Sequence, residues 1–187
     1  AGGAYMQALA DRFFDYIKAS ALDKGASKVV VLNLPDITLT PRFQAVLAGV
    51  TQQAGAAAAQ QAQGLIRQWI VAFNTRLASR FAGNAQVAVV DFYATLTDQV
   101  ANPGKYGLTN VVDTACPVVG VGSDGLPSYN FVTCTASALS ANPPAGVSGG
   151  ANWWKTYLYS DSFHPTPYGH ELLADAVAAA VRAKNWD

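Results

Sequence analysis

An aspartate and a histidine three residues apart carry the strongest chemical signal in the sequence. Asp161 precedes His164, and Pro165 follows the histidine directly. A proline pushes the preceding residue out of the helical region, so His164 is expected in an extended conformation that turns its ring away from a following helix. At this spacing the Asp161 carboxylate can reach Nδ1 of His164, fix the tautomer and leave Nε2 free to accept a proton. The pair therefore predicts a general base, and a surface ion pair of little energetic value is the alternative.

The neighbouring residues predict how this pair is positioned. A short apolar run at 157–159 leads into Asp161. On the other side, Thr166 can cap a helix whose first position is Pro167, where a missing N–H costs nothing. Leu, Ala and Val then recur at helical spacing to about residue 184. The pair is thus expected on a tight turn immediately before a helix.

Helical and strand patterns alternate along the rest of the chain. Amphipathic helices are predicted over 4–19 and 64–81, and a shorter helix over 93–100. Two valine-rich runs, 28–34 and 86–92, lack polar alternation, which is typical of strands covered on both faces in a parallel sheet. This order predicts an α/β fold with a doubly wound, flavodoxin-like parallel sheet in three α/β/α layers.

Two further segments are expected to be exposed or irregular. Residues 51–63 are almost entirely Ala, Gln and Gly, which favours an exposed helical start with little to bury. Residues 35–41 form a loop bounded by two prolines after a predicted strand. Because ligands bind at the carboxyl ends of parallel strands, this loop is expected to border the site, with a simple chain reversal as the alternative.

Residues 101–155 lack a regular pattern and are rich in Gly, Pro, Ser, Thr and Asn. We expect a long ordered loop with room for short helices, and a loop of this length is usually functional or held by a covalent link. Cys116 and Cys134 could supply that link as a disulfide worth roughly 3 kcal/mol in the chain-entropy model. Two buried free thiols are the alternative. A disulfide favours an oxidising compartment, so a secreted, periplasmic or cell-surface location is predicted.

The composition argues against several classes of function. The 187 residues are 51% hydrophobic and 13% charged, and 12 basic residues balance 12 acidic ones. This balance indicates neither nucleic-acid binding nor a polybasic membrane surface. No apolar run approaches the roughly 20 residues of a membrane helix, so no transmembrane segment is expected. The opening Ala-Gly-Gly-Ala predicts a mature or cut N-terminus.

Three motifs resemble those of the SGNH (GDSL-type) esterases and lipases. Asp-Ser-Phe-His-Pro-Thr at 161–166 resembles the last block of that family, Asp-x-x-His-Pro-Thr. Asn-Leu-Pro-Asp-Ile-Thr-Leu-Thr-Pro at 33–41 is similar to the corresponding segment of autotransporter esterase passenger domains. Asn-Pro-Gly-Lys-Tyr-Gly-Leu-Thr-Asn at 102–110 is a third point of similarity.

The resemblance implies a carboxylic-ester hydrolase that acts on an ester or lipid substrate without a cofactor or metal. Asp161 and His164 would be the acid and base of a Ser-His-Asp triad. Trp153 and Trp154, which precede this block, could line an acyl pocket, or they could anchor the long loop on the core.

Two blocks that the resemblance implies are absent from the sequence. In the family, the nucleophile lies in a Gly-Asp-Ser block and a Gly-x-Asn-Asp block helps to form the oxyanion hole, and neither occurs here. Ser123, in Gly-Ser-Asp-Gly between the cysteines, is interpreted as a turn residue. Residues 1–187 are therefore expected to be the C-terminal portion of one hydrolase domain, lacking its first strands, with the serine on an N-terminal segment of the same protein.

Two other interpretations stay open at this point. The chain could be a non-catalytic binding or surface module that keeps the fold without the nucleophile. It could also hold a metal ion through Asp161, His164 and His170, although only these three ligands are in sight.

Overall fold

A computed structural model of the chain describes residues 1–186. Its contacts divide into two compact units. The first comprises Ala1–Asp36, Gln60–Thr97 and the residues from Leu173 onward. The second comprises Ile37–Ala59 and Asp98–Leu172.

The helices largely follow the predicted patterns. Their bounds are α1 Gly2–Ser20, α2 Pro41–Ala54, α3 Ala56–Phe81, α4 Phe92–Ala101, α5 Ala136–Ala141 and α6 Pro167–Ala183. The helices predicted over 4–19, 64–81, 93–100 and 167–184 are thereby confirmed. Among residues 1–186, no helix has both the length and the apolar character that crossing a membrane requires.

Residues 51–63 do not form the single helical start that the composition indicates. Helix α2 ends at Ala54, and α3 begins at Ala56. Gly55 separates them with φ of +86°, a conformation that is unfavourable for other residues. The beginning of α2 was also missed, although Thr40 accepts a hydrogen bond from the Phe43 N–H and Pro41 occupies the first helical position.

In the first unit, two parallel strands pack on the amphipathic helices. Strands β1 (Val29–Leu32) and β2 (Val87–Val90) pair in register from Val29 opposite Val87 to Leu32 opposite Val90. The buried core residues of this unit come from α1, α3 and both strands: Ala10, Val31, Phe73, Leu77, Phe81 and Val87. The two valine-rich runs thus form parallel strands, as predicted.

In the second unit, residues 101–155 are more regular than predicted. They contain β3 (Asn110–Thr114), β4 (Val118–Val121) and β5 (Pro127–Tyr129), in addition to α5. Strand β3 pairs in parallel with β6 (Tyr157–Tyr159), and β4 and β5 form an antiparallel hairpin. Cys116 and Cys134 form a disulfide, so the free-thiol alternative is wrong.

The described residues therefore have an α/β organisation with three two-stranded sheets, of which two are parallel. The doubly wound, three-layer sheet stays a prediction.

Candidate active site

The predicted contact between Asp161 and His164 is present in the second unit. Oδ2 of Asp161 lies 2.7 Å from Nδ1 of His164. Oδ1 of the same carboxylate accepts hydrogen bonds of 2.9 Å from the backbone N–H groups of Phe163 and His164. Asp161 is 2% exposed, so this buried carboxylate has the hydrogen-bond partners that burial demands. The aspartate is thereby held in one orientation.

The histidine is accessible, in contrast to its aspartate partner. Its side chain is 56% exposed. Because the carboxylate accepts at Nδ1, the proton of neutral imidazole belongs on Nδ1, which leaves the lone pair of Nε2 as an acceptor. No hydrogen bond from residues 1–186 reaches Nε2. The ring can therefore accept a proton from a hydroxyl group brought to its open side.

Strand β6 and helix α6 close the loop that carries this pair. The Ser160 N–H donates to the His164 carbonyl over 2.8 Å, and the Thr166 N–H donates to the Leu158 carbonyl over 2.9 Å. Thr166 then begins α6, because its Oγ1 accepts a hydrogen bond of 3.1 Å from the Gly169 N–H. The predicted cap at Thr166 is confirmed, and it positions the loop against the first turn of α6.

Two segments distant in sequence also bind this loop. The Cys116 N–H donates to the Ser160 carbonyl over 2.7 Å, which connects the disulfide to the residue before Asp161. The Arg42 N–H, in the first turn of α2, donates to the Ser162 carbonyl over 2.8 Å. Nothing in the local sequence pattern predicts these two contacts.

The loop at 35–41 reaches the same region. Its Leu39 carbonyl accepts a hydrogen bond of 3.4 Å from the Tyr159 hydroxyl, two residues before Asp161. The loop therefore contacts the strand that leads into the Asp161–His164 pair, which agrees with the expectation that it borders the site.

A cavity of about 460 Å³ opens beside His164. Its wall includes both disulfide cysteines and several aromatic or imidazole rings, among them Phe131, Trp154 and His170. Ring centroids of Phe131 and His164 are 6.3 Å apart with the planes nearly perpendicular, and those of Phe163 and His164 are 4.0 Å apart. The imidazole is thus in contact with two phenylalanine rings, those of Phe131 and Phe163, which are 62% and 49% exposed.

Phe131 was missed as a site residue in the sequence. The only signal for it is its position three residues before Cys134, since the disulfide brings this part of the loop back towards the Asp161–His164 segment.

The tryptophans beside the site are anchored. Trp153 donates its Nε1–H to the Leu139 carbonyl over 2.7 Å, and Trp154 donates to the Ser140 hydroxyl over 3.0 Å. Both residues are buried, which favours the interpretation that they hold the long segment on the core. Trp154 also lines the cavity beside His164, whereas Trp153 does not.

Ser123 lies in the turn of the β4–β5 hairpin, as predicted. The Gly125 N–H donates to the Gly122 carbonyl over 3.0 Å and closes that turn. The next residue, Asp124, accepts from the Leu126 N–H and from Arg42, and these contacts lower the pKa of its carboxyl group. No base contacts Ser123 within residues 1–186, so its surroundings are those of a turn and not of a nucleophile.

The metal interpretation lacks a ligand set. His170 lines the same cavity as Asp161 and His164. However, no three His, Cys, Asp or Glu side chains within residues 1–186 are grouped so that they could hold a metal ion.

Comparison with known proteins gives one family and two relatives. A family model described as GDSL-like lipase/acylhydrolase matches residues 4–177. "Lipase 1" of Photorhabdus luminescens is 26% identical in an alignment 187 positions long that covers 89% of this chain and 26% of that protein. "GDSL esterase/lipase APG" of Arabidopsis thaliana is 27% identical over 175 residues, covering 93% of this chain and 44% of that protein. The chain therefore spans less than half the length of either relative.

Proposed function

Because the chain belongs to the GDSL-like lipase/acylhydrolase family, we propose that it is part of a carboxylic-ester hydrolase in which Asp161 and His164 are the acid and base of a Ser-His-Asp triad. One observation carries the proposal. The buried Asp161 carboxylate binds Nδ1 of His164 at 2.7 Å, while the imidazole side chain is 56% exposed. This arrangement suits a base that must meet a substrate and a nucleophile from outside the loop.

The proposed reaction uses these two residues in the ordinary order of a serine hydrolase. Nε2 of His164 takes the hydroxyl proton as the serine oxygen attacks the ester carbonyl, and Asp161 stabilises the imidazolium ion that forms. The imidazolium then gives this proton to the leaving alcohol, which yields an acyl-enzyme. Water, deprotonated by the same nitrogen, releases the acid and regenerates the serine.

We assign the serine to an N-terminal segment of the same protein. The sequence of residues 1–187 contains no Gly-Asp-Ser block. Both relatives named above are more than twice as long as the part that the chain matches. These two observations support a nucleophile outside the chain, which would then be the C-terminal portion of the hydrolase domain.

The first unit offers an edge on which such a segment could pair. Strand β2 occupies one edge of β1, and no strand of residues 1–186 pairs with the other edge. A groove of about 440 Å³ runs along β1, and Phe13 and Ile17 of α1 help to line it. Leu32 and Phe13 are 37% and 39% exposed there. An open apolar edge favours addition of a strand, which would extend β1 and β2 towards the doubly wound, three-layer sheet.

The disulfide supports a secreted, periplasmic or cell-surface location, since such bonds persist in oxidising compartments. A passenger-domain role like that of the autotransporter esterases is part of the same proposal and rests on the similarity at 33–41.

Hydrolysis of p-nitrophenyl butyrate by the longer protein tests the proposed function. His164→Gln and Asp161→Asn are each expected to lower kcat by about a thousandfold or more, with little change in KM. Asp23→Asn is a matched control, because that carboxylate lies in an exposed ion pair with Lys18. Hydrolysis that equals the buffer rate in the unmodified protein would favour the non-catalytic module, and full activity in His164→Gln would exclude His164 as the base.

A further inference from the structure

A second cavity in the second unit is separate from the one beside His164. It has a volume of about 600 Å³, within the range of small-molecule sites. Its apolar wall comes from α5, the segment before β6 and the first residue of β6, and includes Leu139, Val147, Trp153 and Tyr157. Leu139 is the one residue that lines both cavities. Cys116 lines the His164 cavity, whereas its neighbours Ala115 and Pro117 line this one.

The hydroxyl of Tyr157 has no protein partner in this wall. Tyr157 is 7% exposed, and no hydrogen bond within residues 1–186 involves its hydroxyl. Because no fully buried side-chain polar atom of these residues lacks a partner, this hydroxyl must be reached by solvent. Two other aromatic side chains of this unit do have protein partners. Trp153 donates to the Leu139 carbonyl, and Tyr168 donates to the Tyr106 carbonyl. A hydroxyl that solvent reaches beside a cavity can exchange its water partner for a polar atom of a bound molecule, so the Tyr157 hydroxyl is available to a ligand here.

The charges around the cavity restrict what that molecule can be. None of the lining residues is Lys, Arg or His, and Asp113 is the one charged residue among them. An anionic ligand such as a carboxylate would approach Asp113 without a compensating cation, which is unfavourable. Asn142 and Thr133, which also line the cavity, are neutral. The Asp113 carboxylate is exposed and already accepts a hydrogen bond from the Asn110 side chain, so solvent screening weakens its attraction for a cation. A neutral ligand therefore fits this lining best.

We propose that the cavity between β3, α5 and Tyr157 binds a neutral, largely apolar organic molecule that carries one hydroxyl or carbonyl oxygen, with the Tyr157 hydroxyl as its hydrogen-bond partner. Trp153 and Tyr157 supply an aromatic wall, with ring centroids 5.1 Å apart in an edge-to-face arrangement. The inference does not depend on the proposed esterase function, because neither Asp161 nor His164 lines this cavity.

Titration of the ¹⁵N-labelled protein with benzyl alcohol, followed by amide NMR shifts, tests this proposal. Shifts are expected at α5, Trp153 and Tyr157. Tyr157→Phe keeps the ring and removes the hydroxyl, so the Kd for benzyl alcohol should rise roughly three- to tenfold. The Kd for toluene, which cannot form that hydrogen bond, should stay the same. Tyr129→Phe is the matched control, because Tyr129 does not line the cavity.

A second variant fills the cavity. Ala138 lines it but does not line the cavity beside His164. Ala138→Leu should abolish binding of both probes while the amide spectrum stays that of a folded protein. The proposal would be overturned by shifts centred on His164, by equal benzyl alcohol affinity in Tyr157→Phe, or by unchanged binding in a folded Ala138→Leu protein.

Discussion

The backbone N–H of Cys116 donates a 2.7 Å hydrogen bond to the carbonyl oxygen of Ser160, the residue immediately before Asp161. Cys116 is also one half of the disulfide, and Phe131, three residues before its partner Cys134, faces the His164 ring. The disulfide thus joins the segment that binds the Ser160 carbonyl, next to Asp161, to the segment that carries Phe131, whose ring centroid lies 6.3 Å from that of His164.

Loss of the disulfide should therefore loosen this loop as well as lower global stability. Cys116→Ser/Cys134→Ser is expected to reduce the free energy of unfolding by about 3 kcal/mol in urea denaturation. Amide exchange of Ser160 and His164 should accelerate more than that of Val89 in β2, because their hydrogen bonds belong to the loop that Cys116 supports.

A reductant provides the control for that experiment. It should reproduce both effects in the unmodified protein and leave the double variant unchanged. Unaltered exchange at Ser160 and His164 after reduction would contradict the connection between the disulfide and the loop.

Gly169 permits the close packing of α6 on the strand before the loop. A Cβ at this position would lie 2.8 Å from the Leu158 carbonyl oxygen and 2.8 Å from Cβ of Pro165. Gly169→Ala should therefore destabilise the protein by about 1–3 kcal/mol, measured by urea denaturation.

Gly64→Ala is the matched control for that substitution. Gly64 lies within α3, and a Cβ there would meet nothing within 4 Å. This change should stabilise the protein by about 0.5–1 kcal/mol, because alanine favours a helix. If the two substitutions changed the free energy of unfolding in the same direction, helix propensity and not packing at Gly169 would determine the result.

The Asp98 carboxylate should account for part of the stability that the second unit loses at low pH. Hydrogen bonds from Lys105, Tyr106 and Asn102 lower the pKa of its carboxyl group from 3.8 to about 2. Because the folded-state pKa lies below the ordinary value, this stabilisation is present above about pH 4 and is lost as the pH falls towards 2. The urea midpoint of Asp98→Asn should consequently fall less than that of the unmodified protein between pH 4 and pH 2.

Tyr106→Phe removes one of these three donors and should give an intermediate pH dependence. If the urea midpoint changed with pH by the same slope in all three proteins, Asp98 would not contribute to the pH dependence of stability.

Local parts of the site were predictable because short-range chemistry determines them. The spacing of Asp161 and His164 and the proline after the histidine were sufficient to anticipate the bond at Nδ1. Thr166 and Pro167 likewise marked the start of α6. Each of these features depends on residues within one turn of each other.

Features that depend on distant partners were not predictable from the same patterns. Strand β3 has only two consecutive valines, Val111 and Val112, between the poor strand formers Asn110 and Asp113, so its own sequence is a weak signal. Its parallel pairing with β6, far along the chain, completes it. The contact between the Arg42 N–H and the Ser162 carbonyl uses backbone atoms and leaves no side-chain signature. Gly55 is a residue type that often ends a helix, but the helix-favouring Ala and Gln on both sides of it obscured the break between α2 and α3.

Fluorophosphonate labelling of the longer protein, followed by peptide mapping, tests the central claim most directly. We expect one covalent adduct, on a serine outside residues 1–187, formed at a rate that His164→Ala reduces by at least about a hundredfold. An adduct on Ser123 or another serine of this chain, or labelling that His164→Ala does not slow, would contradict the assignment of His164 as the base that activates that serine.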